Sequence, residues 1–216
     1  MPPTRPDPNL PPVQPSSNFE SAMIKLASHS RWPALLLAAT LCAAPAAWAQ
    51  KVKLSTSAGD IVLQLDAEKS PKTVANFLQY VQAGHYSGTV FHRVIDGFMI
   101  QGGGMGPDLQ EKPSRPPIPL ESKNGRSNVR GSVAMARTQV PDSATAQFFI
   151  NVSDNLRLDA ANAPDGNGYA VFGQVLEGMD VVDRIKAMPV GNKGGHQNVP
   201  LQAITIKQAT LLKESK

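Results

Sequence analysis

The run from Phe91 to Gly104, FHRVIDGFMIQGGG, constrains the fold more than any other stretch of this chain, because it reads as two short strands about a turn. Aromatic and β-branched residues on either side favour extended backbone, and Asp96-Gly97 breaks the pattern with turn chemistry. Side chains of a strand alternate between faces, so Phe91, Arg93 and Ile95 are expected on one side, and Met99 and Gln101 share a side after the break. A cationic donor and an apolar wall would then meet on one surface. Read without further context, the same run is a packed hairpin with a solvated arginine.

The two ends of the 216-residue chain differ sharply in character. Residues 1–22 carry seven prolines and hardly any apolar side chains, too few to offset the entropy of ordering; they read as a disordered leader or an unused upstream start. Residues 23–49 read as a signal peptide: Lys25, His29 and Arg31 precede an apolar stretch from Pro33 to Ala47, and Ala47-Trp48-Ala49 is a small-x-small cleavage pattern before Gln50. The stretch is short and interrupted by Pro45, below the roughly 20 residues of a spanning helix. Export to the periplasm follows as an expectation, with cleavage after Ala49 and no stable membrane insertion afterwards.

Cys42, the single cysteine, falls inside that signal, so disulfides, thiolate catalysis and cysteine metal sites are excluded from residues 50–216. Thr40-Leu41 before it does not fit a lipoprotein signal. Residues 50–216 hold 18 basic against 15 acidic side chains, too mild a balance to favour nucleic acid. The four histidines are scattered, with no metal-ligand spacing. The glycines at 102, 103, 104 and 106 complete no phosphate-loop or dinucleotide fingerprint. No metal and no cofactor are expected.

Alternating residues over Val52–Leu54 and Ile61–Leu65, about the turn Ser57-Ala58-Gly59-Asp60, predict an opening β-hairpin. Ser70-Pro71 reads as a helix N-cap and first turn, Val74, Phe77, Leu78 and Val81 as a helical face, and Gly84 as the stop, giving a helix over 71–83. A second helix is expected over 179–186, with Met179, Val182 and Ile185 on one side. Further strands are expected over 89–94, 98–101, 132–136, 148–151, 169–176 and 203–212. Many short strands and two helices predict a mainly β fold, an antiparallel barrel plugged by helices, since closure removes strand edges. The long irregular stretches 103–128 and 155–168 read as surface framing a groove.

The run FHRVIDGFMIQGGG, together with GSVAMAR at 131–137, Gln147-Phe148-Phe149-Ile150 and Tyr169-Ala170-Val171-Phe172-Gly173, resembles the cyclophilins, peptidyl-prolyl cis-trans isomerases. The resemblance spans nearly all of residues 51–212 and implies a closed eight-stranded antiparallel β-barrel capped by two α-helices. It also implies rotation about Xaa-Pro bonds of unfolded or folding polypeptides as the activity, with residues 50–216 as one monomeric isomerase domain. Rotating that amide breaks C–N resonance over a barrier of roughly 20 kcal/mol, and no nucleophile is required. A site that fits the twisted amide better than either planar isomer lowers the barrier.

By that resemblance Arg93 is the catalytic arginine, and its guanidinium is a permanent fork of donors suited to the lone pair of the pyramidal prolyl nitrogen. Gln101 is expected to brace it. Phe98, Met99, Phe149 and Leu158 match the proline pocket, Ala136 and Arg137 the edge whose backbone bonds the substrate, and Gln147 and Tyr169 complete the groove. Alternation puts Gln147 and Phe149 on one face, and Phe148 and Ile150 on the other. Three positions depart from many eukaryotic members: Arg157 replaces a tryptophan, Tyr169 a histidine and Arg137 an asparagine. Weak cyclosporin binding is the expectation from Arg157. The set resembles the exported bacterial branch of the family.

Overall fold

The computed structural model describes residues 50–213, so the expected leader over 1–22 and signal peptide over 23–49 lie outside the described residues. Ten strands and two α-helices follow in the order β1 Lys51–Thr56, β2 Gly59–Leu65, α1 Pro71–Gln82, β3 Thr89–Ile95, β4 Met99–Gly102, β5 Ser132–Met135, β6 Phe148–Asn151, β7 Val171–Glu177, α2 Met179–Lys186, β8 Val190–Lys193, β9 His196–Pro200 and β10 Thr205–Leu212. A 3₁₀ turn spans Leu156–Leu158. Eight strands close into a barrel in the order β1-β10-β3-β4-β6-β5-β7-β2, with β8 and β9 forming a separate hairpin. Every barrel pairing is antiparallel. The antiparallel barrel with two helices is therefore the architecture that the residue pattern predicts, and its eight strands are the number that the family resemblance implies.

The barrel is filled by one side chain from each alternate position, including Val52, Leu54, Ile61, Leu63, Phe91, Ile100, Phe148, Ile150 and Phe172. Helix α1 presents Val74, Phe77, Leu78, Tyr80 and Val81 to it. The Phe77 ring lies 5.7 Å edge-on from Phe148 and 5.1 Å from Phe172, separations at which aromatic pairs attract. Helix α2 buries Val181, Val182 and Ile185 beside the β1–β2 turn. Its charges suit the helix dipole, with Asp180 in the first turn and Arg184 and Lys186 in the last.

One local expectation is corrected, and one element is additional to those expected. Ser70 occupies the N-cap position of α1 but makes no capping bond; its hydroxyl donates to the Val171 carbonyl at 2.8 Å. The free N–H groups of Lys72 and Thr73 are taken instead by the Glu121 carboxylate, at 3.1 and 2.8 Å, so an anion from a distant loop caps the helix. The β8–β9 hairpin was not anticipated. Its two-residue loop is Gly194-Gly195, both at positive φ, as a tight primed turn requires, but the flanking residues lack apolar alternation. Among the described residues no helix is long and apolar enough to cross a membrane.

Candidate active site

A single row of side chains crosses the outer face of the barrel. Arg93 on β3 stands opposite Gln101 on β4, Gln101 opposite Phe149 on β6, Phe149 opposite Ala134 on β5, and Ala134 opposite Val171 on β7. Met99, Ala134, Phe149 and Val171 form an apolar cluster distinct from the barrel interior, with Ile95, Phe98, Ala136, Leu158 and Tyr169 packed against it. Met99 and Phe149 are buried, while Phe98, Leu158 and Tyr169 are half-exposed. A floor of two buried side chains with partly open walls is a slot for a small apolar ring. Phe148 and Ile150 point into the barrel while Phe149 faces the slot, the division that alternation predicts.

Alternation fails in β3, and the failure positions Arg93. Phe91 pairs with Gly102 and Arg93 with Gln101, so His92 is an extra residue, and the register shifts between Phe91 and Arg93. Phe91 therefore belongs to the interior core, while Ile95 lies in the outer cluster; the expectation that Phe91 shares a side with Arg93 and Ile95 is corrected. A β-bulge re-aims the side chains that follow it. Here it directs the half-buried Arg93 onto the slot's face. Among the described residues its guanidinium has no hydrogen-bond or ion-pair partner. His92 is buried with Nδ1 unpartnered, and burial, with repulsion from His196 and Arg93, lowers its pKa to about 4. It is neutral at physiological pH.

The brace expected from Gln101 goes elsewhere. Its Nε2 donates to Gln147 Oε1 at 3.0 Å, and no bond joins Gln101 to Arg93. Gln147 Nε2 reaches Glu111 at 3.4 Å. The Gln147 side chain lies across Gly104, where an added Cβ would come within 2.2 Å of its Cγ. Gly104 is thus the vacancy that admits this amide pair. Gln101, Gln147, Ala136 and Arg137 also border an adjoining hollow of about 250 Å³ that includes Glu111, Lys112 and Thr138.

Strand β5 ends at Met135, and one more ladder bond follows, from the Ala136 N–H to the Gln147 carbonyl at 2.9 Å. Beyond it the main chain at Ala136-Arg137 parts from β6. Arg137 turns back over the site: its Nε donates to the Gly168 carbonyl at 2.7 Å, its Cζ lies 4.7 Å from the Tyr169 ring centroid, and it pairs with Asp165. Backbone N–H bonds from Asn167, then the Arg137 guanidinium, lower the pKa of Asp165 to about 2. Tyr169 in turn meets Phe149 edge-on at 5.6 Å. The arginine that replaces asparagine therefore props an aromatic wall.

The other wall hangs on buried asparagines that sequence reading did not single out. Asn151 Nδ2 donates to Asn128 Oδ1 at 3.2 Å and Ser132 Oγ at 2.8 Å. Asn155 Nδ2 donates to Asn151 Oδ1 and to the Phe98 carbonyl, both at 2.7 Å. Asp159 accepts from the Asn128 N–H and amide. Leu158 and Tyr169 are then joined directly, the Tyr169 N–H donating to the Leu158 carbonyl at 2.9 Å. Asn128, Asn155 and Asp159 showed only as polarity in long loops, where such residues are ordinarily solvated, and Asn151 only as the polar end of β6.

All ten predicted site residues thus lie on one face of the barrel, around the slot or the adjoining hollow. Among the described residues no group of three or more His, Cys, Asp or Glu side chains could hold a metal ion. The site is an apolar slot sized for a small ring, with the permanently charged Arg93 guanidinium at its edge.

Comparison with known proteins agrees with that geometry. Residues 51–211 match the family profile described as cyclophilin type peptidyl-prolyl cis-trans isomerase/CLD, and the chain belongs to this family. It is 57% identical over 162 residues to a peptidyl-prolyl cis-trans isomerase of Streptomyces antibioticus, covering 74% of this chain and 98% of the relative. It is 51% identical over 163 residues to isomerase A of Dickeya dadantii, covering 76% and 85%. Isomerase B of Escherichia coli is 51% identical over 161 residues, covering 74% and 98%. Among solved structures, a Cryptosporidium parvum cyclophilin crystallised in the presence of the dipeptide Ala-Pro superposes with a TM-score of 0.66 at 27% identity, over 76% of this chain and all of that one. The chain is accordingly an enzyme, a peptidyl-prolyl cis-trans isomerase.

Proposed function

We propose that this isomerase accelerates Xaa-Pro rotation in folding or unfolded polypeptides by holding the proline ring in the slot of Met99, Phe149, Phe98 and Leu158 while Arg93 donates to the prolyl nitrogen. The observation that carries the reading is the free guanidinium of Arg93 in the same cross-strand row as the buried Phe149. When the amide twists, its nitrogen becomes pyramidal and accepts a hydrogen bond that neither planar isomer can accept. A donor placed for that nitrogen stabilises the transition state more than the ground state. The Ala136 N–H is spent on the Gln147 carbonyl, but the Ala136 carbonyl and the Arg137 N–H, without partners among the described residues, are free to pair with the client backbone. The ring is thereby held still while the preceding carbonyl turns. The Ala-Pro dipeptide of the Cryptosporidium structure supports proline-containing peptides as the ligand class.

The test compares Arg93→Ala with Phe149→Ala, each checked for native folding by circular dichroism. Arg93→Ala is expected to cut the isomerisation rate on the order of 100-fold with little change in peptide affinity; Phe149→Ala weakens both. Equal losses in rate and affinity for Arg93→Ala would favour a peptide-binding chaperone.

Export to the periplasm through residues 23–49 is part of the same proposal. It is supported by the basic start, the short apolar stretch and Ala47-Trp48-Ala49. Mass measurement of the exported protein is expected to find Gln50 at the N-terminus, and an intact Met23 start would overturn it.

A further inference from the structure

We propose that Arg157 is a specificity-determining residue, which makes the enzyme favour clients bearing a carboxylate side chain on the residue immediately before or after the proline. The proposal rests on the slot described above being the proline site. Arg157 lies in the 3₁₀ turn Leu156–Leu158, next to slot residue Leu158, and its Cζ sits 4.7 Å from the Phe98 ring centroid. That is within the range at which a guanidinium rests on an aromatic face, so the exposed Arg157 side chain lies against the Phe98 rim with its charge accessible to a client. The turn beneath it is anchored by Asn155 through Phe98 and Asn151.

What distinguishes Arg157 is that the chain does not neutralise it. Among the described residues it has no ion-pair or hydrogen-bond partner, although carboxylates lie close in sequence. Asp159 is engaged with Asn128, Asp154 with the Arg130 N–H, and Asp96 with Lys186. The other rim arginine, Arg137, is paired with Asp165. Of the three guanidiniums around the slot only Arg93 and Arg157 are free, and Arg93 is committed to the prolyl nitrogen. The adjoining hollow carries Glu111 and is lined by Gln101 and Ala136 but by neither Phe98 nor Leu158. Its Lys112 ammonium is taken by the His85 and Ser87 carbonyls. The two sides of the slot therefore differ in charge, and the Phe98 side offers an unsatisfied fork of donors matched to a carboxylate.

The experiment measures kcat/KM by NMR exchange spectroscopy, which needs no coupling protease, on two peptide families, Ala-Xaa-Pro-Ala-Ala and Ala-Ala-Pro-Xaa-Ala, with Xaa as Glu, Gln or Lys. In one family Glu is expected to exceed Gln by about two- to fivefold, the range of an exposed ion pair, with Lys below Gln. The preference should shrink as salt is raised. Arg157→Gln is expected to bring the Glu-to-Gln ratio to about one, and Arg157→Glu to invert it. A ratio is unaffected by any loss of folded enzyme. A wild-type ratio near one in both families, or a ratio that persists in Arg157→Gln, overturns the proposal. Failure of the underlying site reading looks different: Arg93→Ala would then leave turnover of the Gln peptides intact.

Discussion

Arg93 and Gln101 face each other across the β3–β4 ladder, yet the Gln101 amide is donated to Gln147 at 3.0 Å. Gln101 therefore influences Arg93 by shaping the surface beside it, and does so as half of a pair with Gln147. Removing either partner breaks the same bond. Gln101→Ala and Gln147→Ala are each expected to lower kcat/KM by about three- to tenfold, the worth of one hydrogen bond, and the double variant by no more than the larger single effect. Steady-state kinetics on one Xaa-Pro peptide checks this; additive losses would mean that the two residues act separately.

The barrel and its helices were legible because they obey local rules, whereas the slot residues Phe98, Met99, Phe149 and Leu158 were named only by the family resemblance. The helical spacing of Val74, Phe77, Leu78 and Val81 and the alternation at Phe148–Ile150 are set by side-chain direction, which sequence carries. What escaped depends on partners far along the chain or on a broken rule. Glu121 caps α1 from 48 residues away, and the bond between Asn151 and Asn128 closes over 23 residues. His92 hides a bulge, since an extra residue on one strand is visible only against its partner. Gln147 was expected on the groove face, but its partnership with Gln101 was not, because two amides can meet only once β4 and β6 are paired.

Tyr169 offers its ring to Phe149 at 5.6 Å and to Arg137 at 4.7 Å, while among the described residues its hydroxyl has no hydrogen-bond partner. The ring and not the hydroxyl should therefore matter. Tyr169→Phe is expected to retain kcat/KM within about twofold, and Tyr169→Ala to raise KM several-fold, the worth of an aromatic contact. Separate kcat and KM values on a common peptide decide; a large loss in Tyr169→Phe would assign the hydroxyl a role.

His92 carries a pH dependence whose direction follows from its burial. Folded, it binds a proton only below about pH 4, whereas its ordinary value is 6.5. Between those values the unfolded chain holds more protons, so stability is full above pH 6.5 and falls as the pH drops towards 4. The loss is at most about 3 kcal/mol for a shift of this size. His85, whose pKa burial also lowers, acts in the same direction, so the contribution of His92 is read by difference. Denaturant unfolding of wild type and His92→Gln between pH 7 and 4 should show the shallower decline in the variant; parallel curves would remove His92 as the cause.

Gly168 joins the two walls of the slot at a point with no room for a side chain. Its φ is +62°, and an added Cβ would lie 2.5 Å from the Leu158 carbonyl oxygen and 2.6 Å from the Ala160 nitrogen, backbone atoms that cannot swing aside. Its own carbonyl accepts from Arg137 Nε, so displacing it disturbs the prop beneath Tyr169 as well. Gly166, two residues earlier, has a similar φ of +66° with nothing within 4 Å, which isolates the backbone strain from the close approach. Gly166→Ala is expected to cost about 1 kcal/mol, the left-handed penalty alone. Gly168→Ala should cost roughly 2–4 kcal/mol and raise KM more than it lowers kcat, because Leu158 and Tyr169 move apart while Arg93 stays on its bulge. Chemical denaturation of both variants with kinetics on the folded fraction measures the difference. Equal costs at the two glycines would show that left-handed strain, and not the contact with Leu158, fixes the wall.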